Sequence, residues 1–297
     1  SELPRAYYLF NTKPLDLHRP YIDAVTFSQN GEQFTRVEYT LDVWLDSGSM
    51  PFAQFHYPFE GKAKFEANFP GDFISEYTGQ IRAWFNVLHV ISTAVYGQNA
   101  FKNVLVSGVL AGTDGRKMSK SFGNYPDPKA TLAQYGGDAL RLYLLGSPLM
   151  VGGDINFSEE EVKAQARDFL LPLWNMYKFL TSYANMHNWE PKSELALNKR
   201  NAFGEDHPWS HIPFGDVANE LDAWVLLMLQ ETIGEVTTSL DSYNAPQAIR
   251  VIKKFLDEMS RWYIRRSRDR FWKGDSDAID TLHTVLEVTC RAIAPLL

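Results

Sequence analysis

The chain has 297 residues, 45% of them hydrophobic and 14% aromatic, and a formal net charge of -7. This length is sufficient for two domains, each with a core of its own. No stretch approaches the roughly twenty apolar residues that a membrane-spanning helix needs, and the single cysteine, Cys290, excludes an internal disulfide and a multi-cysteine zinc site. We therefore expect a soluble protein of the reducing cytoplasm with no membrane segment.

The first part of the chain, residues 1–154, has the mixed pattern of an α/β domain. Short β-type runs at residues 39–45 and 103–110 alternate with helical periods. Apolar residues recur at helical spacing from residue 80, between an extended segment at 72–77 and the run at 103–110. This order of strand, helix and strand predicts a parallel crossover unit.

The second part, residues 155–297, is predicted to be helical. Ser158 and Glu161 have the spacing of a capping box, which predicts the start of a long helix with a kink at Pro172. Residues 185–216 are rich in Pro, Asn, His and Gly and predict a loop or hairpin. Three further helical periodicities complete a predicted helical bundle, with faces that include Leu221, Ile252 and Ile279.

Residues 114–124 form the most informative segment of the chain. Its Asp-Gly and Gly-Asn pairs favour turns, so the segment is predicted to be a loop that directly follows a strand. Two ammonium groups and two hydroxyl groups suit a triphosphate, because negative charge moves onto pyrophosphate as the α-phosphorus is attacked. The candidates for this catalytic role are Lys117, Ser119, Lys120 and Ser121. The alternative is a solvated lysine loop with no ligand.

The string Lys-Met-Ser-Lys-Ser at residues 117–121 resembles the second signature of the class I aminoacyl-tRNA synthetases. Blocks at residues 41–49, 72–85 and 124–128 resemble the isoleucyl members of that family in order and spacing. The resemblance covers nearly the whole chain. It implies the C-terminal half of a Rossmann-type catalytic domain over residues 1–154, followed by the first portion of a helical anticodon-binding domain over residues 155–297.

The resemblance also implies a reaction and its participants. Isoleucine and ATP, with magnesium, would form isoleucyl-adenylate, and the isoleucyl group would then be transferred to tRNA(Ile). The parent enzyme would be a monomer, and no metal site is implied within this segment. Residues implied to bind ATP are Met118 and Lys120; those implied to bind the aminoacyl-adenylate are Trp44, Glu76, Gln80 and Trp84. Asp46, Ser47 and Gly48 are further candidates for the adenylate, because they are expected to follow a strand, where ligands of open α/β sheets bind.

For several of these residues a structural interpretation stays open. Large aromatic residues such as Trp44 and Trp84 are mostly buried for packing, and Asp-Ser-Gly at residues 46–48, expected to follow a strand, is also an ordinary turn. Gly79 and Ile81 stand where related bacterial enzymes often have an acidic residue and a histidine or threonine.

The first class I signature, His-x-Gly-His, does not occur in the sequence, and no editing domain is recognised. We therefore expect a fragment with half of the ATP site and little activity by itself. Valyl enzymes are an alternative, since they share the Asp-Pro after the lysine loop but differ around Trp44 and over residues 79–85. A non-catalytic tRNA-binding module is the other alternative.

Basic residues are concentrated between residues 261 and 273. In a tRNA-binding protein they could contact phosphates, and the candidates are Arg265, Arg266 and Arg268. The alternative is that the interleaved Asp257, Glu258 and Asp269 pair with these arginines and fix the helix to the catalytic domain.

Overall fold

A computed structural model describes residue 16 and residues 18–39, 42–119, 121–191 and 217–297 of the chain. Two parallel strands carry the first part of the fold: β3 (Gly71–Tyr77) pairs with β4 (Phe101–Ser107), from Gly71 opposite Phe101 to Tyr77 opposite Ser107. Helix α3 (Trp84–Tyr96) connects them and ends at Gly97, whose φ of 69° is in the left-handed region that glycine adopts readily. The predicted parallel crossover is confirmed.

The connection between β3 and α3 explains where the helix starts. Thr78–Arg82 forms a 3-10 turn, and the side-chain oxygen of Gln80 accepts a hydrogen bond from the backbone N–H of Trp84 at 3.0 Å. One of the free N–H groups at the helix start is thereby satisfied. The helical periodicity that begins near residue 80 is therefore correct, but the α-helix itself begins at Trp84.

The strand predicted at residues 39–45 is wrong. Helix α1 (Val43–Ala53) begins there, and the carboxylate of Asp42 caps it by accepting from the N–H of Trp44 at 2.9 Å. Asp46, Ser47 and Gly48 consequently lie inside a helix and do not follow a strand. A short run of alternating apolar residues fits both structures, and the cap together with packing on α3 favours the helix.

Smaller elements complete this part of the chain. Strands β1 (Thr26–Gln29) and β2 (Glu32–Thr35) form an antiparallel hairpin, and β5 (Leu110–Ala111) pairs in parallel with β6 (Ile155–Asn156). The remaining helices here are α2 (Lys62–Asn68), α4 (Pro128–Tyr135) and α5 (Gly137–Leu145). Short 3-10 turns occupy Tyr21–Ala24 and Pro148–Val151.

The long helix after residue 158 has three segments, which are α6 (Glu159–Gln165), a π turn (Ala166–Leu170) and α7 (Leu171–Met186). Ser158 caps it by accepting from Glu161 N at 3.2 Å, but its own N–H donates to the Tyr143 hydroxyl at 3.2 Å, so only half of the capping box forms. The π turn ends two residues before Pro172, which cannot donate a backbone hydrogen bond. The predicted loop at 185–216 begins after Met186, and residues 192–216 lie outside the described residues.

The predicted helical bundle is confirmed. It contains α8 (Glu220–Asp241), α9 (Ala245–Glu258), a second π turn (Met259–Ile264), α10 (Arg265–Trp272) and α11 (Ser276–Ile293). The main hydrophobic core lies between these helices and α7. Leu142 of α5 also belongs to this core, so the two parts of the chain pack against each other. None of the described helices has the length and apolar character needed to cross a bilayer.

A buried ion pair joins α8 to α10. Asp222 is 0% exposed, and its two carboxylate oxygens accept from the Arg270 guanidinium at 2.7 Å each. Tyr263 donates to the same carboxylate at 2.7 Å, and Arg270 also donates to Asp275 at 2.8 Å. Burial, followed by the nearby Asp222 carboxylate, raises the pKa of Tyr263 and keeps its hydroxyl a donor.

Candidate active site

The lysine loop, residues 112–124, follows β5 directly. Its base is closed by a backbone hydrogen bond from Gly112 N to Arg116 O at 2.8 Å and by an antiparallel bridge between Ala111 and Lys117. A Cβ on Gly112 would lie 2.2 Å from the carbonyl oxygen of Asn124, so only glycine lets the two ends of the loop approach so closely. The predicted loop after a strand is confirmed.

Asn124 and Asp114 hold the shape of the lysine loop. The Asn124 side chain accepts from Ser119 N at 3.0 Å and donates to the Asp114 carboxylate at 3.0 Å and to the carbonyl oxygens of Arg116 and Lys117 at 3.3 Å. Asp114 also accepts from the backbone and side chain of Arg116, at 3.0 and 2.8 Å. The Asn124 bond, followed by those from Arg116, lowers the pKa of Asp114 to about 2. Sequence reasoning identified both residues only as turn formers.

The described signature residues of the lysine loop lie in two environments. Lys117 is exposed, whereas Ser119 and Ser121 share a hydrogen bond between their hydroxyl oxygens at 2.7 Å. Met118 is partly buried and packs against a small core formed by Ala139, Tyr143, Phe157 and Val162. Its side chain therefore anchors the loop, and a contact with ATP would have to come from its backbone. Lys120 lies outside the described residues.

The carboxyl end of β3 carries the next candidates. The exposed Glu76 side chain accepts from the N–H of Tyr77 at 3.2 Å, and Gln80 caps α3 as described above. Lys117 reaches this strand end, since its Nζ lies 5.5 Å from the centroid of the Tyr77 ring. The tertiary structure thus brings Lys117 to the Tyr77 ring at the end of β3, although the two residues are forty positions apart in the sequence.

The tryptophan candidates are brought together by the packing of α1 on α3. The indole N–H of Trp84 donates to the backbone oxygen of Ser47 at 3.3 Å, and the Ser47 hydroxyl donates to Trp44 O at 3.2 Å. Trp44 is 39% exposed, which leaves a flat apolar face available to a ligand. Gly48 is buried and faces α3, where a Cβ would lie 3.0 Å from Val87 O. Its contribution is therefore the close approach of the two helices, while Asp46 is exposed.

The basic segment at residues 261–273, which covers part of the second π turn and α10, contains both paired and unpaired arginines. Arg261 pairs with Asp257 at 2.7 Å, and Arg270 pairs with Asp222 and Asp275. Pairing with an interleaved acid is thus confirmed for Arg261. Arg270 does not fix the helix to the catalytic domain as expected, because its partner Asp222 belongs to α8 of the bundle.

Arg265 and Arg268 form no ion pair within the part of the chain that the structure describes. Together with Arg261 and Asn175 of α7, they line a cleft of about 510 Å³. Arg266 stacks on the ring of Trp262, with its Cζ 3.9 Å from the ring centroid. The two unpaired guanidinium groups suit phosphate oxygens.

Comparison with known families decides where this architecture belongs. A family described as tRNA synthetases class I (I, L, M and V) matches residues 10–158, which is half of the chain. The chain belongs to the class I tRNA synthetases. The anticodon-binding domain of tRNA ligase, a second family, matches residues 222–297. Both expectations from the sequence resemblance, for the family and for the Rossmann-type and helical architecture, are confirmed.

Individual synthetases narrow the comparison. The isoleucine–tRNA ligase of Mycobacterium tuberculosis (strain CDC 1551 / Oshkosh) is 42% identical over 294 residues, which is 97% of this chain and 26% of that protein. The isoleucine–tRNA ligase of Protochlamydia amoebophila (strain UWE25) is 41% identical over 290 residues, 94% of this chain and 26% of that protein. The chain therefore spans about a quarter of the length of these curated synthetases.

Two solved synthetases share the fold. The Agrobacterium radiobacter K84 agnB2 LeuRS, in a ternary complex with tRNA and LeuAMS, has a TM-score of 0.65 and 21% identity, covering 92% of this chain and 31% of that one. The Mycobacterium tuberculosis methionyl-tRNA synthetase, in complex with methionyl-adenylate, has a TM-score of 0.64 and 19% identity, covering 89% and 52%. At these identities the likeness shows the synthetase fold alone.

Proposed function

We propose that this chain supplies the lysine-loop half of the adenylate-forming site of an isoleucine–tRNA ligase, together with the first helices of its anticodon-binding domain. The observation that carries the proposal is the approach of Lys117 to the ring of Tyr77, the residue that follows Glu76 and ends β3. Ligands of open α/β sheets bind at this edge, which supports a role for Lys117 at a triphosphate and for Glu76 at an amino acid. Identity of about 40% to isoleucine–tRNA ligases, over nearly the whole chain, favours isoleucine over valine.

In the first step, the carboxylate oxygen of isoleucine attacks the α-phosphorus of ATP, and the bond to pyrophosphate breaks. Glu76 pairs with the isoleucine ammonium group, and the indoles of Trp44 and Trp84 enclose its aliphatic side chain. Gln80 and Ser47 orient these groups from the start of α3 and from α1. Asp46 is exposed on α1 for a polar contact, and Gly48 acts by letting α1 approach α3.

The lysine loop acts on the departing pyrophosphate. Lys117 and Lys120 stabilise the negative charge that develops on it, while Ser119 and Ser121 donate hydrogen bonds to its oxygens and Met118 anchors the loop. Magnesium enters with ATP. Among the described residues, no group of three or more His, Cys, Asp or Glu side chains could hold a metal of its own.

In the second step, the isoleucyl group passes from the adenylate to tRNA(Ile), releasing AMP. Arg265 and Arg268 bind the tRNA backbone in the cleft beside α7, and Arg266, stacked on Trp262, extends this basic face. A monomeric parent enzyme and a cytoplasmic location are part of the same proposal.

Isoleucine-dependent exchange of pyrophosphate into ATP tests the catalytic assignment. The chain is assayed alone and mixed with a polypeptide that carries the His-x-Gly-His motif, with valine and leucine as controls. We expect exchange in the mixture, highest with isoleucine, and a loss of about tenfold to a thousandfold on Lys117→Ala, because one preorganised stabiliser of developing charge is removed. Lys129→Ala, an exposed lysine of α4, is the matched control and should change little.

If the two polypeptides associate but no mixture exchanges pyrophosphate, the alternative of a non-catalytic tRNA-binding module would be favoured. Equal effects of Lys117→Ala and Lys129→Ala would refute the role of the lysine loop. Exchange by the chain alone would show that His-x-Gly-His is not required for the ATP site.

Binding of tRNA tests the arginine cleft separately. The double variant Arg265→Ala/Arg268→Ala should weaken tRNA affinity and reduce the slope of log K against log salt by roughly one per lost phosphate contact. Arg291→Ala on α11 removes one exposed arginine that is already paired with Glu287 and serves as the control. An unchanged slope in the double variant would exclude the cleft from the tRNA interface.

A further inference from the structure

Tyr77 is the last residue of β3, and its ring contacts both candidate halves of the site. Lys117 of the lysine loop places its ammonium group 5.5 Å from the ring centroid. The outer atoms of the ring also lie against Gly79, where a Cβ would be 2.4 to 2.5 Å from Cζ, Cε2 and Oη. The ring therefore contacts both the turn that follows β3 and the lysine of the loop.

We propose that Tyr77 is a positioning residue that holds Lys117 at the carboxyl end of β3, in reach of a bound triphosphate, and that Gly79 is required to leave room for the ring. The contact with the loop is independent of the assignment to an isoleucine–tRNA ligase, whereas its consequence for catalysis rests on the proposed function. Tyr77 does not touch the reacting atoms in this proposal; it acts through Lys117.

The strength of the contact suits this task. An ammonium group over an exposed aromatic ring is favoured only about two- to fivefold over its solvated position. A charge-assisted hydrogen bond to a phosphate oxygen is favoured about tenfold to a hundredfold. Tyr77 therefore favours a position of the exposed Lys117 ammonium near the end of β3 without competing with the triphosphate, which withdraws the ammonium from the ring.

Gly79 provides a perturbation that leaves the aromatic ring in the protein. In Gly79→Ala the new methyl group would overlap the three outer atoms of the Tyr77 ring, and no backbone atom is among its nearest neighbours. Since the end of a side chain can move while the backbone stays in place, the ring is displaced from Lys117. Gly79→Ala should thus reproduce the loss of Tyr77.

Amine acylation of the chain, followed for each lysine by peptide mass spectrometry, measures this contact directly. Lys129 in the same molecule is the internal reference. We expect Tyr77→Leu and Gly79→Ala to raise the acylation rate of Lys117 relative to Lys129 by about two- to fivefold, because the ammonium loses its ring partner. Tyr77→Phe retains a ring face and should stay near the starting ratio, as should Tyr177→Leu, a half-exposed tyrosine of α7.

In the active mixture described above, Tyr77→Leu should lower the kcat of pyrophosphate exchange by about two- to fivefold with an unchanged KM for isoleucine, and Tyr77→Phe should restore it. An unchanged acylation ratio in both Tyr77→Leu and Gly79→Ala would overturn the proposal, as would a raised KM for isoleucine at constant kcat. If the unsubstituted chain supports no exchange, the proposed function fails, but the acylation ratio still decides whether Tyr77 holds Lys117.

Discussion

Removing Arg270 should destabilise the bundle more than any exposed arginine. In Arg270→Met the side chain keeps an unbranched apolar stem but loses both hydrogen bonds to Asp222, each 2.7 Å long. Asp222 is 0% exposed, and among the described residues only the hydroxyl of Tyr263 would remain as a side-chain donor to its carboxylate. Loss of one partner from a buried ion pair costs about 3–5 kcal/mol, because the other charge is left uncompensated.

Urea unfolding followed by far-ultraviolet circular dichroism measures this loss. With an m value of about 3 kcal/mol/M, the midpoint should fall by about 1 to 1.7 M. Arg291→Met is the matched control, since its pair with Glu287 is exposed and contributes only about 0–1 kcal/mol. In Asp222→Asn/Arg270→Met no buried charge is left unpaired, and the loss should shrink to about 1–2 kcal/mol.

Two outcomes would refute this reasoning about the buried pair. A loss in Arg270→Met no larger than that in Arg291→Met would show that the Asp222 carboxylate is compensated by other groups. Additive losses in the Asp222→Asn/Arg270→Met double variant, relative to the two single variants, would show that the two side chains are not coupled.

Two further substitutions test the site. Asn124→Ala removes the main cause of the low pKa of Asp114, so an NMR titration should show this pKa rising from about 2 towards 3.8. The Asp114 carboxylate would then be protonated, and its stabilising bonds weakened, at a higher pH than in the unsubstituted chain. A pKa that stays near 2 would assign the shift to Arg116 alone. Gly48→Ala would place a methyl group 3.0 Å from Val87 O and 2.5 Å from Cδ1 of Ile91. The free energy of unfolding should therefore fall by about 1–3 kcal/mol. An unchanged free energy of unfolding would show that α1 and α3 can separate freely.

The sequence predicted the elements whose pattern is long or chemically unambiguous. The crossover from β3 to β4 and the bundle helices were predicted from periodicity, because an amphipathic helix repeats its apolar residues over several turns. The lysine loop was predicted from its turn residues and its signature string. The site residues carried over from the family resemblance stay predictions, and Lys120 lies outside the described residues.

Short segments were less predictable. Residues 39–45 alternate like a strand, yet the cap at Asp42 and the close packing of Gly48 on α3 make the segment the start of α1. Local propensity decides little over seven residues, so tertiary packing determined the outcome.

The contacts that assemble the site were decided by the tertiary structure. The sequence by itself determined the family, the crossover from β3 through α3 to β4, the helical character of the second part, and the position of the lysine loop after a strand. It contained no sign that the Tyr77 ring contacts both Gly79 and Lys117, that Asn124 holds Asp114 and Ser119, or that Arg270 reaches the buried Asp222. The physical reason is distance along the chain: periodicity and turn chemistry act over a few residues, whereas these contacts, which set charge pairing and exposure, depend on how whole elements pack.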